Sequence, residues 1–181
     1  MQYIYAYETT ASAPASQFQN FLEKSILSVK EQYLYLLLSI REVANFVETD
    51  AKIKAGKHIK NEKDKNFNTK LLSNVIIQYL NNDKEFELEV KNAGVASLLD
   101  DDNIRQLYKK MTDAKEYNEY LTNGLEFNVE EDRAIVTFLL DNILLEDENF
   151  STNMDELFTN WMDDAEFVIE AVHEVIQKSK N

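Results

Sequence analysis

SQFQNFLEKSILSVKEQYLYLLLSIREVANFVETDAKIKAG, residues 16–56, decides the fold. Phe18, Phe21, Leu22, Val29, Tyr33, Leu36, Leu37, Ile40, Val43 and Val47 recur at three- and four-residue steps, the spacing of one helix face. Leu34, Leu38 and Phe46 widen that stripe, so this long helix should lie centrally, with neighbours on more than one side. Ser16 followed three residues later by Gln19 reads as a capping box. The hydroxyl would accept from the third helical N–H and the amide would reach back. The helix should run to about Gly56.

The pattern continues on both sides. Residues 1–9 predict a short helix with Tyr3, Ile4 and Tyr7 on one face, joined through Pro14 to the long one. Residues 57–68 lack periodicity and predict a loop or frayed end. Asn68 should cap a helix carrying Leu71, Leu72, Val75, Ile76, Tyr79 and Leu80, stopped at Asn81 and Asn82. Phe86, Leu88 and Val90 alternate, but a lone six-residue strand has no partner, so an irregular or short helical segment is expected. Asp102 should cap a helix with Ile104, Leu107, Tyr108 and Met111. Thr112 or Asp113 should open another with Tyr117, Tyr120 and Leu121, ended by Gly124 as a left-handed residue. Asn128 with Glu131, and Asn153 with Glu156, read as two further capping boxes. Asp163 and Asp164 suit the positive N-terminus of a last helix striped by Phe167, Val168, Ala171, Val172, Val175 and Ile176, with Lys178 and Lys180 at its negative end. The expected fold class is all-α: an irregular bundle of seven to eight helices around one long central helix. Residues 1–181 form one domain in this reading, and any subdivision would fall near 57–68.

Composition narrows the function. The 181 residues include 0 Cys, 2 His, 3 Gly and 1 Pro. That leaves no disulfide framework, thiolate zinc site or thiol nucleophile, and is consistent with a reducing cytoplasm. The longest apolar run, residues 33–40, is far short of the roughly 20 residues that span a bilayer. The opening MQYIYAYETT carries no basic n-region, so no signal peptide is expected. The three glycines lie far apart, which excludes a Gly-rich phosphate loop. Glu170 and His173 share a helix face, as in di-iron bundles, but such sites need a second pair and two more carboxylates. His58 has Ala55 three residues before it and cannot supply that pair. Asp100, Asp101 and Asp102 are contiguous, unlike a calcium loop, and read as a helix cap. Tyr3, Tyr5, Tyr7, Tyr33 and Tyr35 could stack bases, although at helical spacing they read as packing groups. No cofactor, metal or catalysis is expected.

The net charge is −14, which opposes free binding to phosphates, but the charge is uneven. Residues 51–70 carry seven lysines against Glu62 and Asp64. Lys52, Lys54, Lys57, Lys60, Lys63 and Lys65 are therefore the candidate RNA-contacting residues. Residues 126–170 hold fourteen acids and only Arg133 as a base, a surface that could steer a basic protein.

Several segments together carry a resemblance. They are Gln2-Tyr3-Ile4-Tyr5-Ala6-Tyr7, Leu22-Glu23-Lys24-Ser25, Tyr33-Leu34-Tyr35-Leu36-Leu37-Leu38-Ser39-Ile40, Tyr117-Asn118-Glu119-Tyr120-Leu121, Glu130-Glu131-Asp132-Arg133, and Asn160-Trp161-Met162-Asp163-Asp164-Ala165-Glu166-Phe167-Val168-Ile169. In this order they resemble the long, Bacteroidetes-type form of the transcription antitermination factor NusB. The resemblance runs along the whole chain and consists of packing and capping patterns, not active-site signatures. It implies an all-α cytoplasmic protein that pairs with the small-subunit ribosomal protein NusE. The pair binds a short boxA-like RNA and helps RNA polymerase read through terminators. The family carries an Arg-rich stretch before the Tyr-Ala-Tyr helix, whereas here the first arginine is Arg41. Its most characteristic C-terminal helices would follow residue 181. The chain thus looks like the N-terminal, extended half of such a protein, either a fragment or a divergent short member, and no family RNA contact maps onto a matching position. The alternative is an acidic helical interaction or scaffold module that does not bind RNA.

Overall fold

The computed structural model describes residues 15–55, 69–123 and 128–179. Among these there are eight α-helices and no strand. They are α1 (Ala15–Ala55), α2 (Val75–Asn82), α3 (Lys84–Ala93), α4 (Asp101–Asp113), α5 (Lys115–Thr122), α6 (Val129–Phe138), α7 (Glu148–Leu157) and α8 (Trp161–Lys178). Short 3-10 turns precede α2 and follow α3, and a π-helical turn, Leu139–Leu144, extends α6. The all-α expectation holds, and α1 is the spine.

At 41 residues α1 is about 60 Å long. Leu34, Leu36, Leu37, Leu38, Ile40, Val43, Ala44 and Val47 are all buried, so the helix is wrapped on several faces along its middle. The last helix, α8, and α4 are its main neighbours, with α2 and α3 also against it. From α8, Val168, Val172 and Ile176 enter the core at four-residue steps, while Phe167 stays 65% exposed. Asp163 and Asp164 occupy the first turn of α8 as expected. At Ser39, the hydroxyl satisfies itself inside the core by donating to the Tyr35 carbonyl at 2.8 Å.

Several helix starts differ from the sequence reading, each for a local reason. Ser16 lies inside α1 and does not cap it. The helix expected from Asn68 is instead a 3-10 turn, Lys70–Ser73, broken at Asn74. Asn74 turns its side-chain oxygen onto the Ile76 and Ile77 amides and starts α2 afresh. Its amide nitrogen donates to the Asp132 carbonyl at 2.9 Å, so the break is also a tertiary anchor. Asp100, not Asp102, caps α4, accepting the Asp102 N–H at 3.0 Å. Ala114 occupies the cap position of α5, without a side-chain bond. Asn128 caps α6 as expected. Residues 84–93 form a regular helix in which Phe86 and Val90 are buried and Leu88 is 56% exposed. The alternation is thus an i, i+4 pair and not a strand face. That helix ends at Gly94, whose φ of 70° costs an L side chain and not a glycine. The expected helix over residues 1–9, the loop over 57–68, the Gly124 stop and Lys180 lie outside the described residues.

The start of α7 is the clearest correction. Asn153 sits mid-helix, and Asp147 is the cap, accepting the Phe150 N–H at 2.8 Å. Lys110 from α4 bonds the other carboxylate oxygen. Burial alone would raise the Asp147 pKa. The Lys110 hydrogen bond and charge and the Phe150 amide outweigh it and hold the carboxyl below its usual value. A depressed carboxylate contributes stability above its unfolded pKa and loses it as pH falls through the folded value. Acid below about pH 4 should therefore unfasten the α4–α7 junction. We expect Asp147→Asn to cost about 2 kcal/mol at neutral pH and to flatten the acid side of the stability profile, as read by urea melts between pH 3 and 7. A variant with the wild-type acid slope would contradict this assignment.

Candidate functional site

Of the six candidate lysines, Lys52 and Lys54 lie on the last turns of α1, and Lys57, Lys60, Lys63 and Lys65 lie outside the described residues. Lys52 pairs with Glu48 at 2.9 Å on an exposed surface. Lys54 is held differently. Its ammonium lies 2.7 Å from Asp50, with both side chains under one-fifth exposed. The same carboxylate oxygen accepts the Tyr108 hydroxyl at 2.8 Å, tying this end of α1 to α4. Tyr108 and Tyr117 are both buried here, and burial first, then neighbouring charge, drives their phenol pKa values far up. They stay neutral at physiological pH and serve as packing and hydrogen-bonding groups. An exposed i, i+4 pair such as Lys52–Glu48 is weak and screened, so Lys52 can exchange its acid for a phosphate. Lys54 is more firmly engaged.

The acidic stretch is spread over α6, the π-turn, α7 and the start of α8. Three of its acids meet cations, Glu130 with Arg133 at 2.8 Å, Glu131 with Lys70 at 3.5 Å and Asp147 with Lys110, and Asp141 is hydrogen-bonded to the His173 ring at 2.8 Å. Among the described residues no ion pair engages Glu148, Asp155, Glu156, Asp163, Glu166 or Glu170. Their charge is available to a partner.

His173 is about one-third exposed and turned to Asp141 on the π-turn, away from any cluster with Glu170. Among the described residues no group of three or more His, Asp or Glu could hold a metal ion. The acid run at Asp100–Asp102 starts α4, as a cap should. Tyr35 is 1% exposed and packed between Phe150 and Phe158, so it is no stacking platform. Tyr33 is half-buried and raised in pKa by burial and then by the Asp83 charge. Tyr3, Tyr5 and Tyr7 lie outside the described residues.

Two features had no signal in the sequence. One is a buried polar node. Asp132, 5% exposed, accepts the Val75 N–H and the Tyr120 hydroxyl, each at 2.8 Å. Lys70 closes the node by donating to the Tyr120 carbonyl at 2.7 Å and lying 4.3 Å from the centre of that ring. The bonds join residues 12 to 57 positions apart, which no local pattern announces. The other is a groove of about 370 Å³ between α1, α2 and α8, lined by Tyr33, Tyr79, Ala171, Val175 and Lys178. It adjoins a second of about 270 Å³ reaching Lys30, Leu37 and Phe86. Both are open, aromatic-edged surfaces; Glu174 and Lys178 also line the first, and Asp83, Glu85 and Glu89 the second.

No helix among the described residues is long and apolar enough to cross a membrane. The chain matches no known family, no curated protein and no solved structure.

Proposed function

We propose that this chain is a NusB-like helical protein that acts in transcription antitermination by binding protein and RNA, without catalysis of its own. The observation that carries the reading is where the resembling segments fall. Residues 34–40 form the buried middle of α1, with Tyr33 half-covered before them, and Trp161 to Ile169 open α8, the helix packed on it. The shared pattern thus coincides with the spine of the bundle. In this reading the end of α1 and the lysines beyond it meet RNA phosphates, while the unpaired acids of α7 and α8 attract a basic ribosomal protein of the NusE kind.

Lys54 is engaged with Asp50, so the informative substitutions are Lys57, Lys60 and Lys63 to Glu together. The triple variant should lose RNA retention by at least tenfold at physiological salt while keeping its circular dichroism spectrum. Wild-type binding should fall steeply between low and physiological salt. Unchanged affinity in the triple variant removes these lysines from the RNA contact.

The neutralised lysines on α1 favour a second reading, an acidic interaction module that binds a basic protein and no RNA. It predicts co-purification with a basic partner, sensitive to salt, and no shift of RNA at any salt.

A further inference from the structure

Along α1, Leu22, Ile26, Val29, Tyr33, Leu36, Ile40, Val43 and Val47 repeat at alternating four- and three-residue steps. That is the heptad spacing of a seam between packed helices. The seam is covered over only part of its length. Leu36, Ile40, Val43 and Val47 are fully buried. Val29 and Tyr33 are half covered, while Leu22 and Ile26 are 48% and 61% exposed. The apolar line therefore runs off the end of the bundle for two further turns. Where it leaves, the groove of Tyr33, Tyr79 and Val175 lies open beside it.

Charge singles out the same region. Residues 16–31 carry Glu23, Lys24, Lys30 and Glu31 and so have no net charge, in a chain of −14. Two copies would repel each other least here.

We propose that this uncovered seam joins two copies of the chain, with their α1 helices antiparallel about a two-fold axis near residues 27 and 28. In that register Ile26 of each copy packs on Val29 of the other. Leu22 packs on Tyr33 of the other copy and fills its groove. Every contact occurs twice, as a two-fold interface requires. Glu23 at one flank comes alongside Lys30 of the second copy. Glu89 of its own chain already holds Lys30 in place, and an ammonium has donors to spare for a second carboxylate. A parallel pairing would bring both acidic bundles to the same end and leave the Tyr33 groove empty.

Sedimentation velocity of the full chain over a wide concentration range tests this. The expected result is a reversible dimer of twice 21.1 kDa. Ile26→Glu should raise the dissociation constant on the order of 100-fold, because it places a carboxylate at the seam in both copies. Its helical signal should be unchanged, since Ile26 is 61% exposed in the single chain. The chain has 0 Cys, so Ile26→Cys should be joined to its counterpart by a short bis-maleimide, and Met162→Cys, 82% exposed and off the seam, should not. A wild-type chain that stays monomeric throughout, or a dimer that Ile26→Glu leaves intact, overturns the proposal.

Discussion

Replacing Asp132 by Ala should lower the unfolding free energy by about 4 kcal/mol, one of the two largest losses expected from a single change in this protein. The carboxylate is 5% exposed and holds two donors from different helices, the Val75 N–H at the start of α2 and the Tyr120 hydroxyl of α5. Truncation leaves both in the interior without an acceptor, and each orphaned group costs about 1–3 kcal/mol. The bond from the Asn74 amide survives, because it goes to the Asp132 backbone carbonyl, so the loss is confined to the two side-chain bonds. Asp132→Asn keeps the volume and one acceptor and should cost about half as much. Urea unfolding followed by circular dichroism gives both numbers. An alanine variant within about 1 kcal/mol of wild type would mean that the node is not what fastens α2 and α5 to α6.

Tyr35→Ala should cost a similar amount, about 4 kcal/mol, by a different mechanism. The ring is 1% exposed, 6.0 Å from Phe150 in a stacked arrangement and 5.5 Å from Phe158 edge-on. Removing it opens a cavity between α1 and the two ends of α7, where large rigid neighbours cannot collapse inward. Tyr35→Phe keeps the packing and loses only the bond from the Asn153 amide at 3.1 Å, so it should cost about 1 kcal/mol. Burial, then the Asp100 charge, pushes the Tyr35 phenol up to about 12, so the hydroxyl is neutral throughout the range of such a comparison. A phenylalanine variant as unstable as the alanine variant would place the stabilisation in the hydroxyl instead of the ring.

Both residues show where sequence reading works and where it stops. Tyr35 lies in the apolar run 33–40, broken only by Ser39, within a stripe of helical period, and residues 34–40 are the buried middle of α1. Asp132 reads locally as part of an acidic first turn, and its partners are 12 to 58 residues away. Helix starts failed for the same reason. Asn153 has the local signature of a cap, but Tyr35 holds it 118 positions away, and the cap went to Asp147, which Lys110 anchors. Asn74 breaks a stripe that periodicity alone would continue, because Asp132 bonds it. Local pattern fixes which faces are apolar, whereas tertiary hydrogen bonds choose among neighbouring Asp and Asn candidates for the caps.

The candidate site was legible only as composition. Counting lysines over residues 51–70 leaves out Glu48 and Asp50, one turn earlier on the same helix. Those two carboxylates pair with Lys52 and Lys54. An i, i+4 register along α1 shows the pairing in the sequence itself, but the burial of the Asp50 pair needs Tyr108, which arrives from α4. The open groove at Tyr33 and Tyr79 could not be foreseen, because it exists only where the ends of α2 and α8 meet the side of α1.

The proposed NusB-like role, binding RNA together with a ribosomal protein, can be read from fluorescence anisotropy of a short boxA-like RNA. The titration is run with this chain alone and with a NusE-type partner, at low and at physiological salt. Weak, salt-sensitive binding by the chain alone is expected, with at least a tenfold gain when the partner is present. No binding with or without the partner, from a chain shown folded by circular dichroism, would contradict it and leave the acidic interaction module as the function.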